Sequence, residues 1–487
     1  MGWREWSVFN LSTTEITVIG IALAVVEVIA IASAVRAVMT ARTSQGALAW
    51  IGALITLPVI SVPLYWIFGR ARFHGYVDVR RERLEGMNEL IGDVTPRVSE
   101  YVVVAPPGLG AGLVLPELAS LPFTRGNHTE LLVNGEETFD AIFDLIDSAE
   151  RYLLSQFFIV NDDELGRKYK ERLIARAREG VDVYFLYDEI GSRKMTRRYL
   201  ADLRAAGVHV TGINTTRGFT NRFQVNFRNH RKIVLADAKA AIVGGLNVGD
   251  EYMDLDRKLT PWRDTAILLE GPEVLACQLT FVEDWHWATG EVPRLSWEPR
   301  ASTKSDRVAF VLPSGPADEF ETCSLFFRHA ANTAKRRLWI ATPYFVPDEG
   351  TIGALELAAM RGVDVRILMP GLPDKPFIKL AGLSYVAEMA RAGVKMFEYG
   401  DGFMHQKVML LDDNVCSIGT ANFDNRSFRL NFEISIVTAD EGFAAEVEQM
   451  LLADLEKSTL IDAADVASRP IPFKVGSRVA RLFSPIL

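Results

Sequence analysis

The chain contains one polar pattern twice, and its residue types could do chemistry on a phosphate group. Each copy reads His-x-Lys-x4-Asp, and an asparagine follows ten residues after the aspartate. The members are His230, Lys232, Asp237 and Asn247 in the first copy and His405, Lys407, Asp412 and Asn422 in the second. Lysine and asparagine can neutralise and orient phosphoryl oxygens, while histidine can attack phosphorus or transfer a proton near neutral pH. The pattern therefore predicts two half-sites for a phosphodiester.

Exchange of a phosphodiester through a covalent intermediate needs a nucleophile and a general acid, and one copy of the pattern supplies only one imidazole. We therefore expect the two copies to face each other and to share one site. A carboxylate should fix the tautomer of each imidazole and support its charge. The candidates are Asp264, which ends the run WRD, and Glu433, which ends the run NFE.

Each copy continues into a short apolar run, IVLA or VMLL, and is interpreted as a strand, in which residues i and i+2 share a face. The histidine and lysine of a copy would then share one face of the strand. Ile233 and Leu235, or Val408 and Leu410 in the second copy, would point into the core. Each aspartate falls where the strand is expected to turn.

The surrounding sequence repeats as well, in alternating strand and helix patterns. The strand-like run RYLLSQFFIV at 151–160 has a counterpart in RLWIATPYFV at 337–346. The run Gly-Val-Asp-Val then begins at Gly180 and again at Gly362, each time after an alanine-rich helical pattern. Ordered landmarks at nearly equal offsets predict an internal duplication of an α/β unit.

The predicted organisation has five parts. They are a transmembrane hairpin over 1–70, a connector over 71–123, a first α/β lobe over 124–300, a second over 308–468, and a basic amphipathic tail over 469–487. Each lobe is expected to hold a sheet flanked by helices, because strands alternate with helices along it.

The hairpin is predicted from two apolar stretches, since crossing a bilayer takes about 20 apolar residues. They cover about 16–35, which contains Glu27, and 47–68, which ends near the interfacial residues Tyr65 and Trp66. Arginines are more frequent after the second stretch than between the two. By the positive-inside rule, we expect both termini and both lobes on the cytoplasmic side.

Charge and cysteine content argue against several classes of partner and site. The chain has 62 acidic against 53 basic side chains and a formal net charge of -9, which argues against nucleic acid as a partner. Its three cysteines form no CxxC pair, so we expect neither a disulfide scaffold nor a zinc site, and no cofactor. The tail has no acid from Arg469 onward and mixes Lys474, Arg478 and Arg481 with apolar residues, which suits an anionic membrane surface.

The two motifs resemble those of the phospholipase D superfamily and, within it, the bacterial cardiolipin synthases. The runs LPVISVPLYWIFGR at 57–70, NFRNHRK at 226–232 and NFDNRSF at 422–428 carry the closer likeness. The resemblance implies two tandem lobes with a mixed sheet and a pseudo-twofold axis. It also implies metal-independent transfer between two phosphatidylglycerols, giving cardiolipin and glycerol through a phosphatidyl-histidine. The expected location is the bacterial inner membrane, with several spans.

The resemblance also implies roles for the individual residues. His230 would be the nucleophile and His405 the general acid, although the two lobes are similar enough for these roles to be exchanged. Lys232, Lys407, Asn247 and Asn422 would bind phosphoryl oxygens. Asp264 would orient His230, and Glu433 would orient His405. Asp237 and Asp412 would shape the site, and Thr420, which stands where the first lobe has Gly245, offers a hydroxyl contact in one lobe only.

Other functions stay open at this point. A hydrolytic phospholipase D would use the same residues and differ only in accepting water. A membrane scaffold without activity would keep the fold, and a nuclease of the same superfamily is disfavoured by the apolar stretches and the acidity. The sequence leaves the oligomeric state open.

Overall fold

The computed structural model describes residues 12–40, 44–69, 90–104, 118–119, 121–213, 227–255 and 258–487. It divides into an N-terminal unit, described up to Gly69, and a larger body that begins at Tyr76. The arginines at positions 70–83, from which the orientation was predicted, lie outside the described residues.

The N-terminal unit holds three helices, α1 (Thr13–Thr40), α2 (Ser44–Thr56) and α3 (Pro58–Phe68). In the described part of the chain, only α1 is long and apolar enough to cross a membrane. The second apolar stretch is split at Leu57, because Pro58 has no N–H to donate and its ring disfavours helical geometry at the residue before it. The predicted hairpin of two spanning helices is therefore not confirmed.

The strands of the body follow in chain order. They are β1 (Thr124–Val133), β2 (Tyr152–Phe157), β3 (Asp182–Asp188), β4 (His209–Ile213), β5 (Arg228–Asn229), β6 (Ile233–Ala236), β7 (Ala240–Gly244), β8 (Trp262–Arg263), β9 (Thr265–Glu270), β10 (Arg307–Ser314), β11 (Arg337–Ala341), β12 (Phe345–Val346), β13 (Asp364–Pro370), β14 (Lys395–Tyr399), β15 (Phe403–Met404), β16 (Val408–Leu411), β17 (Val415–Gly419), β18 (Phe423–Asp424), β19 (Asn431–Ala439) and β20 (Ser458–Leu460).

Residues 90–98 are helical. The α-helices that follow in chain order are α4 (Asn134–Asp147), α5 (Glu164–Arg178), α6 (Arg197–Ala205), α7 (Val274–Thr289), α8 (Thr322–Thr333), α9 (Glu349–Met360), α10 (Pro376–Leu383), α11 (Val386–Ala392), α12 (Asn425–Arg429), α13 (Glu441–Glu456), α14 (Ala463–Ser468) and α15 (Ile471–Leu482). Gly180 and Gly362, the repeat landmarks, both have a positive φ just past a helix end, a conformation that favours glycine.

One mixed sheet runs through both lobes. Its order is β20-β14-β13-β11-β16-β17-β19-β10-β1-β9-β7-β6-β2-β3-β4, and β5 pairs with β19 off this path. The strands β2, β3 and β4 pair in parallel, as do β11, β13 and β14, and β1 joins the lobes by antiparallel pairing with β10. The expected α/β class with a mixed sheet is confirmed.

Helices cover both faces of this sheet. In β2, Leu153 packs with α4 and α5, whereas its neighbour Leu154 packs with α7 on the opposite face. The cluster around α7 also includes Phe443 and Val447 of α13 from the second lobe. The two lobes therefore share a sheet and a central core.

The aspartate of each motif closes the turn after its strand. Asp412 has φ 51°, and its carboxylate accepts backbone N–H bonds from Lys335, Arg336 and Arg337, at 2.7 Å for Arg336. Asp237 does the same for residues 150–152, at 2.9 Å for each bond. Asp412 thus fixes the turn after β16 to the start of β11, and Asp237 fixes the turn after β6 to the start of β2.

Asp412→Ala is expected to destabilise the body by about 3 kcal/mol, since several charge-assisted bonds to backbone N–H groups are lost. Asp413→Ala is the matched control, because the partly exposed carboxylate of Asp413 forms ion pairs with Arg336 and Arg337, which contribute about 1 kcal/mol or less, and has no bond to a backbone N–H in the described part of the chain. Thermal unfolding of the purified full-length variants in detergent measures the difference. Equal midpoints, with turnover lost only in Asp412→Ala, would instead assign this aspartate to the reaction.

Candidate active site

The histidine and lysine of each motif lie just before a strand. β6 begins at Ile233 and β16 at Val408, so the histidines and lysines lie outside the strands that were expected to contain them, and their common direction stays a prediction. The backbone N–H of His230 instead donates to Phe432 O in the other lobe, at 2.9 Å. Four side chains of the two motifs, His230, Lys232, His405 and Lys407, are at most 9% exposed.

Two short parallel pairings connect the lobes at this point. β5 pairs with the start of β19, so that His230 comes next to Glu433, one residue beyond the paired positions. β15 pairs with β8 in the same way, so that His405 comes next to Asp264. The backbone N–H of His405 donates to Arg263 O at 2.7 Å, which repeats the bond of the first half-site.

Each imidazole consequently takes its carboxylate from the opposite lobe. His230 Nδ1 lies 2.9 Å from Glu433 Oε2, and His405 Nδ1 lies 2.7 Å from Asp264 Oδ2. The expected pairing, Asp264 with His230 and Glu433 with His405, is wrong, because the parallel bridges and not the order along the chain decide which groups meet. The expectation that a carboxylate lies against each histidine agrees with this geometry.

Both carboxylates are buried and held by further donors. Glu433 accepts from Thr420 Oγ1 at 2.6 Å, Ser427 Oγ at 2.8 Å and Asn431 Nδ2 at 3.1 Å. Asp264 accepts from the backbone N–H of Thr265 at 2.9 Å. Burial alone would raise the pKa of each carboxyl, but the neighbouring histidine and lysine outweigh burial and lower it.

Burial acts in the opposite direction on the bases. It lowers the pKa of His230 and of His405 to about 4, against the pull of the adjacent carboxylates. It also lowers the pKa of Lys232 to about 7 and that of Lys407 to about 8. A neutral imidazole that donates from Nδ1 keeps a lone pair on Nε2, which is the form that a nucleophile needs.

The half-sites act on each other electrostatically. The charge of Lys407 lowers the pKa of both His230 and Lys232 across the lobe boundary. Lys232 Nζ donates to His230 O at 2.7 Å, and Lys407 Nζ lies 2.8 Å from His405 Nδ1. An anion bound between the two ammonium groups would relieve their repulsion.

The asparagines and the threonine differ between the lobes. Asn247 is fully engaged, since its Oδ1 accepts from the backbone N–H of Ile159 and its Nδ2 donates to Tyr252 OH at 2.7 Å. Asn422 Oδ1 is buried and has no hydrogen-bond partner among the described residues. Thr420 donates its proton to Glu433. The phosphate-binding roles of these three residues stay predictions.

Sequence reasoning missed an aromatic residue in each half-site. The ring of Phe158 lies 5.0 Å from that of His230, edge to face. Tyr344 holds the equivalent repeat position, and its hydroxyl donates to Asp374 Oδ2 at 2.7 Å. Asp374 in turn raises the pKa of His405. The aligned runs at 151–160 and 337–346 contain both aromatics and could have revealed them.

A family model described as "Cardiolipin synthase, PLD-like domain" matches residues 142–273 and 327–455. The chain belongs to the family of phospholipase D-like cardiolipin synthases. It is therefore an enzyme of phospholipid synthesis, and the two tandem copies expected from the sequence are confirmed. A second model, for a phospholipase D-nuclease N-terminal segment, matches residues 28–70.

Relatives in this cardiolipin synthase family align over nearly the whole chain. Cardiolipin synthase A of Pseudomonas aeruginosa is 46% identical over 97% of this chain and 97% of its own. Cardiolipin synthase A of Pseudomonas putida is 46% identical over 96% and 98%. A solved structure of phosphatidylserine synthase from Haemophilus influenzae Rd KW20 has a TM-score of 0.58 at 17% identity. It covers 74% of this chain and 95% of that one, and it supports the fold alone.

Equivalent positions of the two copies hold Gly245 and Thr420, and this difference gives a test of the histidine–carboxylate pairs between the lobes. A Cβ on Gly245 would collide with the carboxylate of Asp264. Gly245→Thr is therefore expected to displace Asp264 from His405 and to reduce kcat by about 100-fold or more. The reciprocal Thr420→Gly removes one donor to Glu433 and should cost only about tenfold. Comparable losses in the two variants, at unchanged thermal midpoints, would contradict the assigned packing.

The lowered pKa values predict the pH dependence of kcat/KM. Activity should fall on the acid side as His230, with its pKa of about 4, gains a proton and loses its lone pair. It should fall on the alkaline side as two groups lose their protons, His405, whose pKa of about 4 rises when the anionic lipid binds, and Lys232, with its pKa of about 7. Lys232→Arg keeps the charge at all pH values and should move the alkaline limb upward by about one pH unit or more. An alkaline limb that stays in place would exclude Lys232 as the group responsible.

Proposed function

We propose that the chain joins two phosphatidylglycerol molecules to form cardiolipin and releases glycerol, through a phosphatidyl-histidine intermediate. The observation that carries the proposal is the pair of crossed histidine–carboxylate contacts in one buried site. Such a site supplies one imidazole to attack phosphorus and a second to manage the proton of the leaving oxygen. Family membership supports the lipid substrate.

In the first half-reaction, Nε2 of His230 attacks the phosphorus of one phosphatidylglycerol. The negative charge of the bound phosphodiester raises the pKa of His405, so that its ring carries a second proton on Nε2. The bond from phosphorus to the glycerol headgroup oxygen breaks, and Nε2 of His405 gives that proton to the oxygen. Lys232 and Lys407 would stabilise the charge that develops on the phosphoryl oxygens. The His230 Nδ1–H bond to Glu433 supports the positive charge that forms on the attacking ring.

In the second half-reaction, a headgroup hydroxyl of another phosphatidylglycerol replaces the departed glycerol. His405, now neutral, takes the proton of that hydroxyl as its oxygen attacks phosphorus. The bond from phosphorus to His230 breaks and both histidines return to their starting state. Substitution of water for this lipid alcohol would give phosphatidic acid, which is the hydrolytic alternative.

Charges around the two rings favour this assignment of roles. His405 has one lysine that lowers its pKa, Lys407, and two carboxylates that raise it, Asp264 and Asp374. His230 has Glu433 alone to raise its pKa, while Lys232 and Lys407 lower it. A bound phosphodiester adds a negative charge that further favours protonation of His405. The pKa of both rings is lowered to about 4, and the additional carboxylate beside His405 supports its proposed role as the proton donor, with His230 as the nucleophile.

We further propose that α1 anchors the enzyme in the bacterial inner membrane, with the lobes on the cytoplasmic side. Support comes from the length and apolarity of α1 and from the family model over 28–70. A second span, formed by α2 and α3 with a kink at Pro58, stays a prediction. Phosphatidylglycerol and cardiolipin would both be present in such a membrane, next to the site.

Replacement of the histidines tests the reaction. In His230→Ala, cardiolipin formation from headgroup-labelled phosphatidylglycerol is expected to fall by at least about 1,000-fold, with no lipid bound covalently to the protein. In His405→Ala, the leaving glycerol loses its proton donor and the acceptor hydroxyl loses its base, so a phosphatidyl group should form on His230 slowly and then persist there. His209→Ala, at an exposed position, is the control and should retain wild-type turnover.

Three results would contradict the proposal in different ways. Wild-type-like turnover in His230→Ala would remove the covalent role. Lipid trapped on His405 in the wild-type chain would reverse the two histidines. Phosphatidic acid without cardiolipin would make the chain a hydrolase.

A further inference from the structure

The helix α15 turns an apolar stripe away from the body. Ile471 and Leu482 are 75% and 78% exposed, and Val475 and Val479 between them are 55% and 44% exposed. Steps of four, four and three residues place all of them on one face of a helix. An amphipathic helix on the surface of a globular protein normally turns its apolar stripe toward the core. The outward stripe of α15 is therefore suited to an apolar environment outside the body.

The opposite face of α15 is fixed to the body, so the exposure of the stripe does not come from a loose end. Ser477 and Ala480 are buried on the inner side. Arg481 forms an ion pair with Glu388 at 2.8 Å and lies 4.0 Å over the ring of Tyr385. These contacts set the rotation of the helix about its own axis.

Basic side chains border the apolar stripe along one edge. Lys474 and Arg478 are exposed, and each stands one residue before a valine of the stripe. Neither has an acidic partner in the described part of the chain, nor has Arg469 just before the helix. No acid follows Arg469 in the sequence. An apolar face with uncompensated cations at its edge is complementary to an anionic lipid surface.

This surface continues to the active site. The exposed ring of Phe483, just after α15, packs against the exposed ring of Phe377 in α10 at 5.7 Å. The loop before α10 carries Asp374, which accepts the hydroxyl of Tyr344 and acts on His405. On the other side, the carbonyl of Leu487 accepts the backbone N–H of Arg426, which follows the second motif.

We infer that the outward face of α15, extended by Phe377, docks on an anionic lipid bilayer and brings the active site beside the headgroups. The occupant is lipid because the cations lack acidic partners and the stripe is apolar, a combination that fits a bilayer interface better than a protein groove. The inference goes beyond the proposed reaction, since docking can be measured without turnover.

Site-specific labelling tests the docking. The three native cysteines, Cys277, Cys323 and Cys416, are buried, so a new cysteine can be labelled alone with an environment-sensitive fluorophore. Val475→Cys reports on the stripe, and Met360→Cys, 70% exposed on α9, is the matched control. The full chain is placed in nanodiscs that contain phosphatidylglycerol with lipids carrying a quencher in their acyl chains.

The label at 475 is expected to shift to the blue and to lose at least half of its emission to the quencher lipid, while the label at 360 loses little. Equal solvation at both positions would overturn the proposal. A blue shift that depends on protein concentration and not on the quencher lipid would also overturn it, since a second copy would then cover the stripe.

The charges are tested by Lys474→Gln combined with Arg478→Gln. Each cation near an anionic surface is expected to strengthen docking about fivefold, so the double variant should show markedly weaker quenching in phosphatidylglycerol nanodiscs. The wild-type chain in phosphatidylcholine nanodiscs should resemble the double variant. Equal quenching in the double variant and in phosphatidylcholine nanodiscs would show that docking does not depend on anionic lipid.

An activity measurement separates docking from the reaction. Val475→Glu is expected to lower cardiolipin formation about tenfold in bilayers and to leave turnover of short-chain phosphatidylglycerol in detergent unchanged. Met360→Glu should be silent in both assays. If Val475→Glu lost turnover in detergent as well, α15 would act on the site itself and the docking role would fail. If the wild-type chain formed no cardiolipin, the proposed function would fail, but the labelling experiment would still test the docking.

Discussion

The arrangement of the site depends on two short stretches of parallel backbone pairing between the lobes, β5 with β19 and β15 with β8. Each stretch pairs only two residues with two. Yet each ends one step before a histidine on one side and a carboxylate on the other, so backbone register fixes the distance between them. A slip of one residue at either bridge would turn a side chain to the opposite face and break the contact. The rest of the body, with its continuous sheet and central core, holds these bridges in place.

Burial sets the protonation states of the histidines, lysines and carboxylates in the site. In the buried site without a bound anion, the imidazoles are neutral, the carboxylates stay charged because of their neighbours, and the lysines titrate near neutral pH. In water, Lys232 would keep its charge to high pH, and the carboxylates would be only weakly coupled to the rings. A phosphodiester brings the negative charge that the two ammonium groups lack.

Much of this could be predicted from the sequence, because it is written in local patterns. The doubled motif, the identity of Asp264 and Glu433 as histidine partners, and the turns at Asp237 and Asp412 all follow from residue types at fixed spacing. The crossed pairing does not, since it depends on which strands meet across more than 140 residues of chain. The aligned repeats contain Tyr344, but its contact with Asp374 depends on a loop whose path the repeat does not predict. The break at Pro58 shows a different limit, because composition indicated a span while the proline ring decided the helix.

Position 245 holds glycine and the equivalent position 420 holds threonine, which gives a reason for joining the two lobes in one chain. In a symmetric dimer of a single lobe, one residue type would have to serve both places. Glycine alone fits beside Asp264, and it would leave Glu433 without the hydroxyl that Thr420 donates. Covalent fusion removes that compromise, because positions 245 and 420 can then hold different residues. Neither half could work if separated, because each would carry a histidine whose carboxylate had stayed with the other.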